Sequence, residues 1–399
     1  MRHDRLCKLL LAFALVGVAD GLQAAETSQE SDFDPALLIA ENPAGLYSWR
    51  KSDIAIPAQL QLVTTMLHDE GATWLVGGNY IDAESWRGSV HLSKDGGNSY
   101  EIDVPRIGPS PNLVRMSNGR IALFYSDTSQ NGSSNYRRGV VARFRADVEA
   151  EWTHEQRVHW SKERTNDNPC ALVLGRDDGV AVAFGSDDGY RMFSQQGQMH
   201  RASDIKLAWS SNGDQWGQAQ LAFPAPGVRY ARNCLGPSLL LWQNGARKSL
   251  LLAFEDRGAE IAGVSVVESC IYSLRSDDLG KSWRGEGDHQ PVRISPDQGF
   301  YNCSNTSPKL WLGPNQEIVC FWRQFNPARG GRVVYRFSRD GGLHWSDVLS
   351  VYDRGGGLCL ASLDANRLLL VICQPDDGSG GIPKCRVVLE GRPRTLARP

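Results

Sequence analysis

The chain lacks net charge, a membrane-length apolar run and every short motif that announces a metal, redox or nucleotide centre. Its 43 Lys and Arg against 45 Asp and Glu leave a formal charge of -2. The basic residues are scattered rather than clustered, so neither nucleic acid nor an anionic membrane surface is favoured as a partner. No Cys-x-x-Cys or His-Glu-x-x-His occurs, and the glycines of "DDGSGG" (Asp376 to Gly381) miss the spacing of a phosphate loop, so neither a cofactor nor a metal is expected. The run from Leu9 to Ala19 falls short of the roughly 20 apolar residues that a membrane-spanning helix needs.

That run has another reading. Arg2, Arg5 and Lys8 precede it, and "GLQAAE" then offers small residues for cleavage near Ala24, the pattern of a secretory leader over residues 1–24. The expectation is a secreted or periplasmic protein, with no membrane insertion once the leader is gone and with residues 25–399 forming one domain. Nine cysteines become eight without Cys7, an even number in an oxidising compartment that permits disulfides without revealing their pairing. Several of them, in "EIVCFW" and "LLLVICQ", sit inside apolar runs and read as buried inert thiols.

What the chain does have is apolar bulk and repetition. With 41% apolar and 22% charged residues over 399 positions, it can bury a sizeable core. The stretch "SRDGGLHW" (Ser338 to Trp345) places Ser, Asp, Gly and Trp at the first, third, fifth and eighth positions of one turn. It recurs as "SKDGGNSY" from Ser93 and "SDDLGKSW" from Ser276, with weaker copies "SSNGDQW" from Ser210 and "RADVEAEW" from Arg145. Successive starts at 93, 145, 210, 276 and 338 step by 52, 65, 66 and 62 residues, a repeat architecture with a period of about 60.

Each unit also carries two apolar runs joined by a turn, such as "NLVRMSNGRIALFYSD", "SLLLWQNGARKSLLLAFED" and "KLWLGPNQEIVCFWRQ", which read as hairpins. The same pair opens the series at "LVTTMLHDEGATWLVGG" and closes it at "LCLASLDANRLLLVICQ", making six. A third strand enters each Ser-x-Asp turn and a fourth leaves it. Six four-stranded antiparallel sheets repeated radially make an all-β, six-bladed β-propeller. Two packed β-sandwiches fit less well, because a sandwich has no reason to repeat one turn chemistry in every unit. The last unit is a strand short at its C-terminal end, and the segment "PALLIAENPAGLYSW" near the N-terminus is expected to supply the missing strand and remove the open edges.

The turn has a structural logic. Ser and Asp side chains bond backbone N–H groups of their own turn, Gly supplies a positive φ, and Trp anchors the turn on apolar neighbours. The pattern resembles the Asp-box, Ser-x-Asp-x-Gly-x-x-Trp, of the sialidase superfamily, over roughly residues 50 to 390. In that family the box joins the third and fourth strands on the face opposite the active site. The resemblance therefore directs attention to the segments after each second strand and before each first strand.

Tested residue by residue, the sialidase chemistry matches only in part. The resemblance implies an Arg-Ile-Pro near the first strand, and "IAIPAQL" has Ala55 there. In blade four the second arginine's place holds Glu255 and Asp256, with Arg257 just beyond. Blade five looks like the segment that supplies the third arginine, carried here by Arg329 or Arg332. No Tyr nucleophile opens blade six in "RGGGLCLASL", and its partner Glu has no counterpart in "RNCLGPSL". Asp82 in blade one matches the acid. Sialic acid is therefore not the expected substrate.

Carboxylates at strand ends remain, and another glycosidase would need two of them about 5 to 9.5 Å apart. Glu255 is the first candidate, at the end of an apolar strand where burial favours the proton-donating form. Its place is similar to that of a Glu in exo-acting Asp-box propellers that cut arabinan. Asp187 or Asp188, and Asp127, end the equivalent strands of neighbouring blades and are candidates for the second carboxylate. Tyr230, Tyr301, Trp322 and Arg323, together with Arg329, Arg332 and Asp82, are candidates for holding a sugar. The reading is an exported exo-glycosidase acting as a monomer on a carbohydrate. Two others stand beside it: a non-catalytic propeller that binds glycan or protein, and a polysaccharide lyase with His200 or Tyr190 as base.

Overall fold

The computed structural model describes residues 39–394, except 41, 70, 83–84, 128–138, 162–164, 176–178, 193–198, 224–233, 246, 257–268, 285–290, 297–304, 314, 327–329, 354–357, 365–366 and 375–383. The expected leader, residues 1–24, lies outside the described residues. So do Tyr230, Arg257, Tyr301 and Arg329.

The first strand is β1 (Tyr47–Lys51), and six blades follow in sequence. Blade one is β2 (Leu62–His68), β3 (Trp74–Asp82), β4 (Ser85–Ser93) and β5 (Glu101–Ile107); blade two is β6 (Asn112–Arg115), β7 (Ile121–Asp127), β8 (Gly139–Arg145) and β9 (Gln156–Trp160). Blade three is β10 (Thr165–Val173), β11 (Val180–Met192), β12 (Met199–Ser210) and β13 (Gln220–Phe223); blade four is β14 (Cys234–Asn244), β15 (Arg247–Asp256), β16 (Cys270–Ser276) and β17 (Val292–Arg293). Blade five is β18 (Asn305–Leu312), β19 (Ile318–Asn326), β20 (Gly330–Ser338) and β21 (Leu349–Tyr352). Blade six has β22 (Leu358–Asp364), β23 (Arg367–Gln374) and β24 (Lys384–Pro393), and β1 completes it by pairing antiparallel with β24. All six sheets are four-stranded and antiparallel, the six-bladed propeller that the repeat predicts, closed by the N-terminal strand.

The second strand of each blade reads as a continuous apolar run because neighbouring blades cover both of its faces. β7 is buried at every position from Ile121 to Asp127, and β15 from Ser249 to Asp256. Outer strands have solvent on one side and are only partly buried, as in β5, where Val104 and Ile107 are buried and Glu101, Ile102, Pro105 and Arg106 are exposed. The core consequently divides into six clusters, each shared by two adjacent blades. Leu369 and Val371 of blade six pack with Val63 and Trp74 of blade one, which closes the ring.

The Ser-x-Asp turns form as their chemistry requires. In blade five Ser338 Oγ donates to Asp340 Oδ1 at 2.8 Å and accepts the Gly342 N–H at 2.9 Å, while Asp340 Oδ1 takes the N–H groups of Leu343 and His344 at 3.1 and 3.0 Å. Gly342, at φ 90°, occupies a left-handed conformation open to glycine without steric cost. Blades one and four repeat these bonds from Ser93 and Ser276. In the shorter copy, Ser210 Oγ accepts the N–H of Gly213, one residue earlier in the turn, at 2.8 Å. Among the described residues Cys170 and Cys320 are free thiols.

Candidate functional site

Strand register fixes which residues are equivalent from blade to blade. In blades one to five, Trp74, Ile121, Val180, Leu250 and Ile318 of the second strands face Ser93, Arg145, Ser210, Ser276 and Ser338, the first residues of the turns. Five residues further along those strands stand Asn79, Ser126, Gly185, Glu255 and Arg323. Glu255 thus lies toward the end of the propeller opposite the turns. Asp127 follows Ser126 directly, so its side chain leaves the other face of its blade.

At Asn79, Ser126 and Glu255 the side chain reaches across to the innermost strand of the next blade. Near the start of four inner strands a left-handed residue precedes proline: Ser110 (φ 61°) just ahead of β6, and Asn168 (φ 52°), Gly236 (φ 55°) and Ser307 (φ 58°) within β10, β14 and β18. That conformation is costly for a non-glycine residue, about 1–3 kcal/mol, and it turns each N–H away from the sheet ladder. For Ser110 and Ser307 the neighbouring blade supplies an acceptor. Asn79 Oδ1 takes the Ser110 N–H at 2.7 Å, and Glu255 Oε2 takes the Ser307 N–H at 3.3 Å. At Asn168 the N–H goes to Asp167 Oδ1 at 2.7 Å, and Ser126 Oγ donates to that same oxygen at 2.9 Å. A second set of side chains joins the inner strands lower down. Thr65 Oγ1 accepts Leu113 N–H, Asn112 Oδ1 accepts Ala171 N–H, and Ser238 Oγ accepts Leu310 N–H, all at 2.9–3.0 Å.

The inner strands enclose a cavity of about 180 Å³ to which all six blades contribute, with Thr64, Asn112, Cys170, Glu255, Ser307, Lys309 and Leu358 among its lining. Glu255 and Lys309 are the charged residues of that lining. Glu255 is 3% exposed; besides the Ser307 N–H it takes a hydrogen bond from Ser269 Oγ at 3.3 Å. Burial pushes the Cys170 thiol pKa up, and the Lys309 charge acts weakly against it, so Cys170 stays a neutral thiol. Among the described residues no three His, Cys, Asp or Glu side chains gather as a metal site.

No family model matches the chain, and neither does any curated protein. Solved structures do. An α-L-arabinanase from Penicillium chrysogenum in complex with arabinobiose is 13% identical with a TM-score of 0.53, covering 87% of this chain and 96% of its own. The α-L-arabinofuranosidase Arb93A from Fusarium graminearum, bound to an iminosugar inhibitor, is 12% identical with a TM-score of 0.54 over 88% of this chain and 98% of its own. The Hadza microbial sialidase Hz136 is 12% identical with a TM-score of 0.50 over 84% of this chain and 66% of its own. The likeness is one of fold.

The structure distributes the sequence-predicted residues unevenly. Glu255 lines the central cavity. Asp127 is buried at the end of β7 and does not line it. Asp187 ends the part of β11 paired with Thr165 and Ser203, and its side chain, like those of Asp188, Tyr190 and His200, lies outside the described residues. Asp82 is ion-paired with Arg106 at 2.8 Å. Arg332 turns its fork on Gln324 Oε1, at 2.8 Å from Nε and 2.5 Å from Nη2. Arg323 stacks its guanidinium over Phe325 at 5.4 Å, and Trp322 is fully buried, its Nε1 donating to Asn305 Oδ1 at 2.9 Å. Trp322 is thus a core residue rather than a stacking platform for sugar. Ala55 donates its N–H to Gly97 O in the turn of blade one at 2.9 Å, so "IAIP" lies at the turn end and not beside Glu255. Ser307 and Asn168 carry a legible mark in the sequence, a residue before proline at the start of an apolar run, repeated in four units; Lys309 carries none.

Proposed function

We propose that the protein is a glycoside hydrolase working at the end of the propeller opposite the Ser-x-Asp turns, with Glu255 as its proton-transferring carboxylate. One observation carries this reading. Asn79, a neutral amide, performs in blade one the backbone bracing that Glu255 performs in blade four, so the brace does not require a charge. The carboxylate at 255 is therefore surplus to the structural task and stands in a cavity, where a group able to give and take a proton is useful.

In this reading Glu255 protonates the leaving glycosidic oxygen and Asp187, on the next blade round, acts as nucleophile or base. A leader over residues 1–24 exports the protein to where polysaccharide is found. The fold likeness to enzymes named for arabinan and α-L-arabinofuranosides makes arabinose-containing glycans the first substrates to try. Purified protein should be incubated with arabinan, with α-L-arabinofuranosides and with a panel of neutral and acidic oligosaccharides, in parallel with Glu255→Gln. Release of a sugar by the native chain, lost in the variant, supports the reading. A chain that binds an oligosaccharide but cleaves none of them belongs to the non-catalytic reading.

A further inference from the structure

On the turn end of the propeller, between the turns of blades four and five, lies a second cavity of about 210 Å³. Three guanidiniums line it, those of Arg247, Arg275 and Arg284, with a single carboxylate, Asp277. Arg247 Nη2 is 2.7 Å from Asp277 Oδ2, Arg275 Nε 2.9 Å from Oδ1, and Arg284 Nη1 4.0 Å from Oδ2. Ser249 Oγ also donates to Oδ1 at 2.7 Å. Asp277 is thus fully engaged: although partial burial acts the other way, the bonds from Ser249, Arg247 and Arg275 hold its pKa down to about 2. One negative charge answers three positive ones.

The turns of blades one and two do not share this imbalance. Between blades one and two the pairs are one to one, Lys94 with Glu149 and Arg145 with Asp103. Arg275 also keeps donors in reserve. Its Nη1 reaches Gly341 O only at 3.4 Å, its guanidinium lies 5.1 Å over the Trp242 ring, and its Nη2 is buried without a hydrogen-bond partner. Leu251, Leu274, Val292 and Leu343 add apolar side chains to the lining, and Leu343 is 53% exposed.

We infer that this cavity is an oxyanion site, taking a sulfate, phosphate or carboxylate group either free in solution or borne on a sugar chain. Guanidinium forks match the paired oxygens of such groups, and the excess positive charge attracts them from a distance. The apolar residues beside the forks suit the C–H face of a sugar ring carrying the anion. This site is separate from the Glu255 cavity, and its occupancy does not depend on any catalysis there.

The test titrates the full chain at fixed low ionic strength with sodium sulfate, with a galacturonic-acid oligosaccharide and with a neutral arabino-oligosaccharide, reading heat or chemical shifts of the Arg side chains. Saturable binding of sulfate or of the acidic oligosaccharide is expected, weakened by about tenfold or more in Arg247→Gln/Arg284→Gln. Both positions are well exposed, 62% and 74%, so the melting temperature should hold. Asp277→Asn removes the competing carboxylate and should tighten sulfate binding, a result that simple unfolding would not produce. An acidic oligosaccharide that binds more tightly than sulfate, while the neutral one fails, assigns the anion to a sugar chain; sulfate binding alone assigns it to a free ion. Absence of saturable binding to either anion overturns the proposal. So does binding that is unchanged in the double variant.

Discussion

The Oε2 of Glu255 accepts the N–H of Ser307 at 3.3 Å across the boundary between blades four and five. Ser307 holds a left-handed conformation at φ 58°, so its N–H has no place in the sheet ladder and depends on that neighbour. Glu255 is at once a brace and an acid lining a cavity, and two substitutions separate the roles.

Glu255→Gln retains an acceptor for Ser307 but cannot exchange the proton. Turnover on a cleaved glycan should fall by about 10² or more with the melting temperature nearly unchanged. Glu255→Ala leaves the Ser307 N–H orphaned and should cost about 1–3 kcal/mol of stability. Unfolding curves and turnover measured on the same samples decide. Equal turnover per folded molecule in wild type and Glu255→Gln would remove Glu255 from the catalytic role.

The Ser-x-Asp turn makes a prediction about stability alone. Ser338 is 1% exposed and serves both Asp340 and the Gly342 N–H. Ser338→Ala should destabilise the protein by about 1–3 kcal/mol through the unpaired buried N–H. Because this turn lies at the far end from Glu255, turnover per folded molecule should be unaffected in denaturant-free assays.

Acid should act through the same turns. Burial opposes it, but hydrogen bonds from Ser276 and Ser282 hold Asp278 down to about 2; bonds from His344 and Ser338 do the same for Asp340. Carboxylates held below their ordinary value contribute stability that is complete above about pH 4 and lost as the pH falls through about 2. The melting temperature should therefore drop steeply between about pH 4 and 2. Asp278→Asn/Asp340→Asn should start lower at neutral pH and show a shallower decline; an identical acid slope in the double variant would refute the assignment.

The architecture is legible in the sequence because its signals are local and repeated. Each Ser-x-Asp turn is closed by bonds within five residues, and each second strand, covered by blades on both sides, must be apolar throughout. The site is less legible because it depends on contacts between blades. Nothing in the run "LLLAFEDRG" shows that Glu255 meets Ser307, more than fifty residues later in the chain. The sequence places Asp127 and Glu255 alike at strand ends, yet they sit one residue apart in register and so leave opposite faces of their blades. Lys309 is not legible in the sequence, because a lysine inside a strand reads as an outward-facing residue until the ring closes around it.

Sialic acid recognition requires guanidiniums that converge on one carboxylate with their forks free. Among the described residues, Arg332 spends its fork on Gln324, Arg323 stacks on Phe325, and Ala55, where a clamp arginine would be sought, is bonded to Gly97 at the turn end. The other charged residue of the central lining, Lys309, is a lysine, a point charge that cannot engage a carboxylate through a planar fork. The protein should therefore release no sialic acid from simple α-sialosides under conditions where it cleaves another glycan. Gln324→Leu offers a sharper version of the test, since it frees Arg332 without adding charge. If Arg332 were a poised clamp residue, that change would create or raise sialoside affinity; if it is a structural partner of Gln324, the change should lower the melting temperature and leave sialosides unbound. Release of sialic acid by the native chain at about 1 per second or faster would show that the clamp is completed by other arginines.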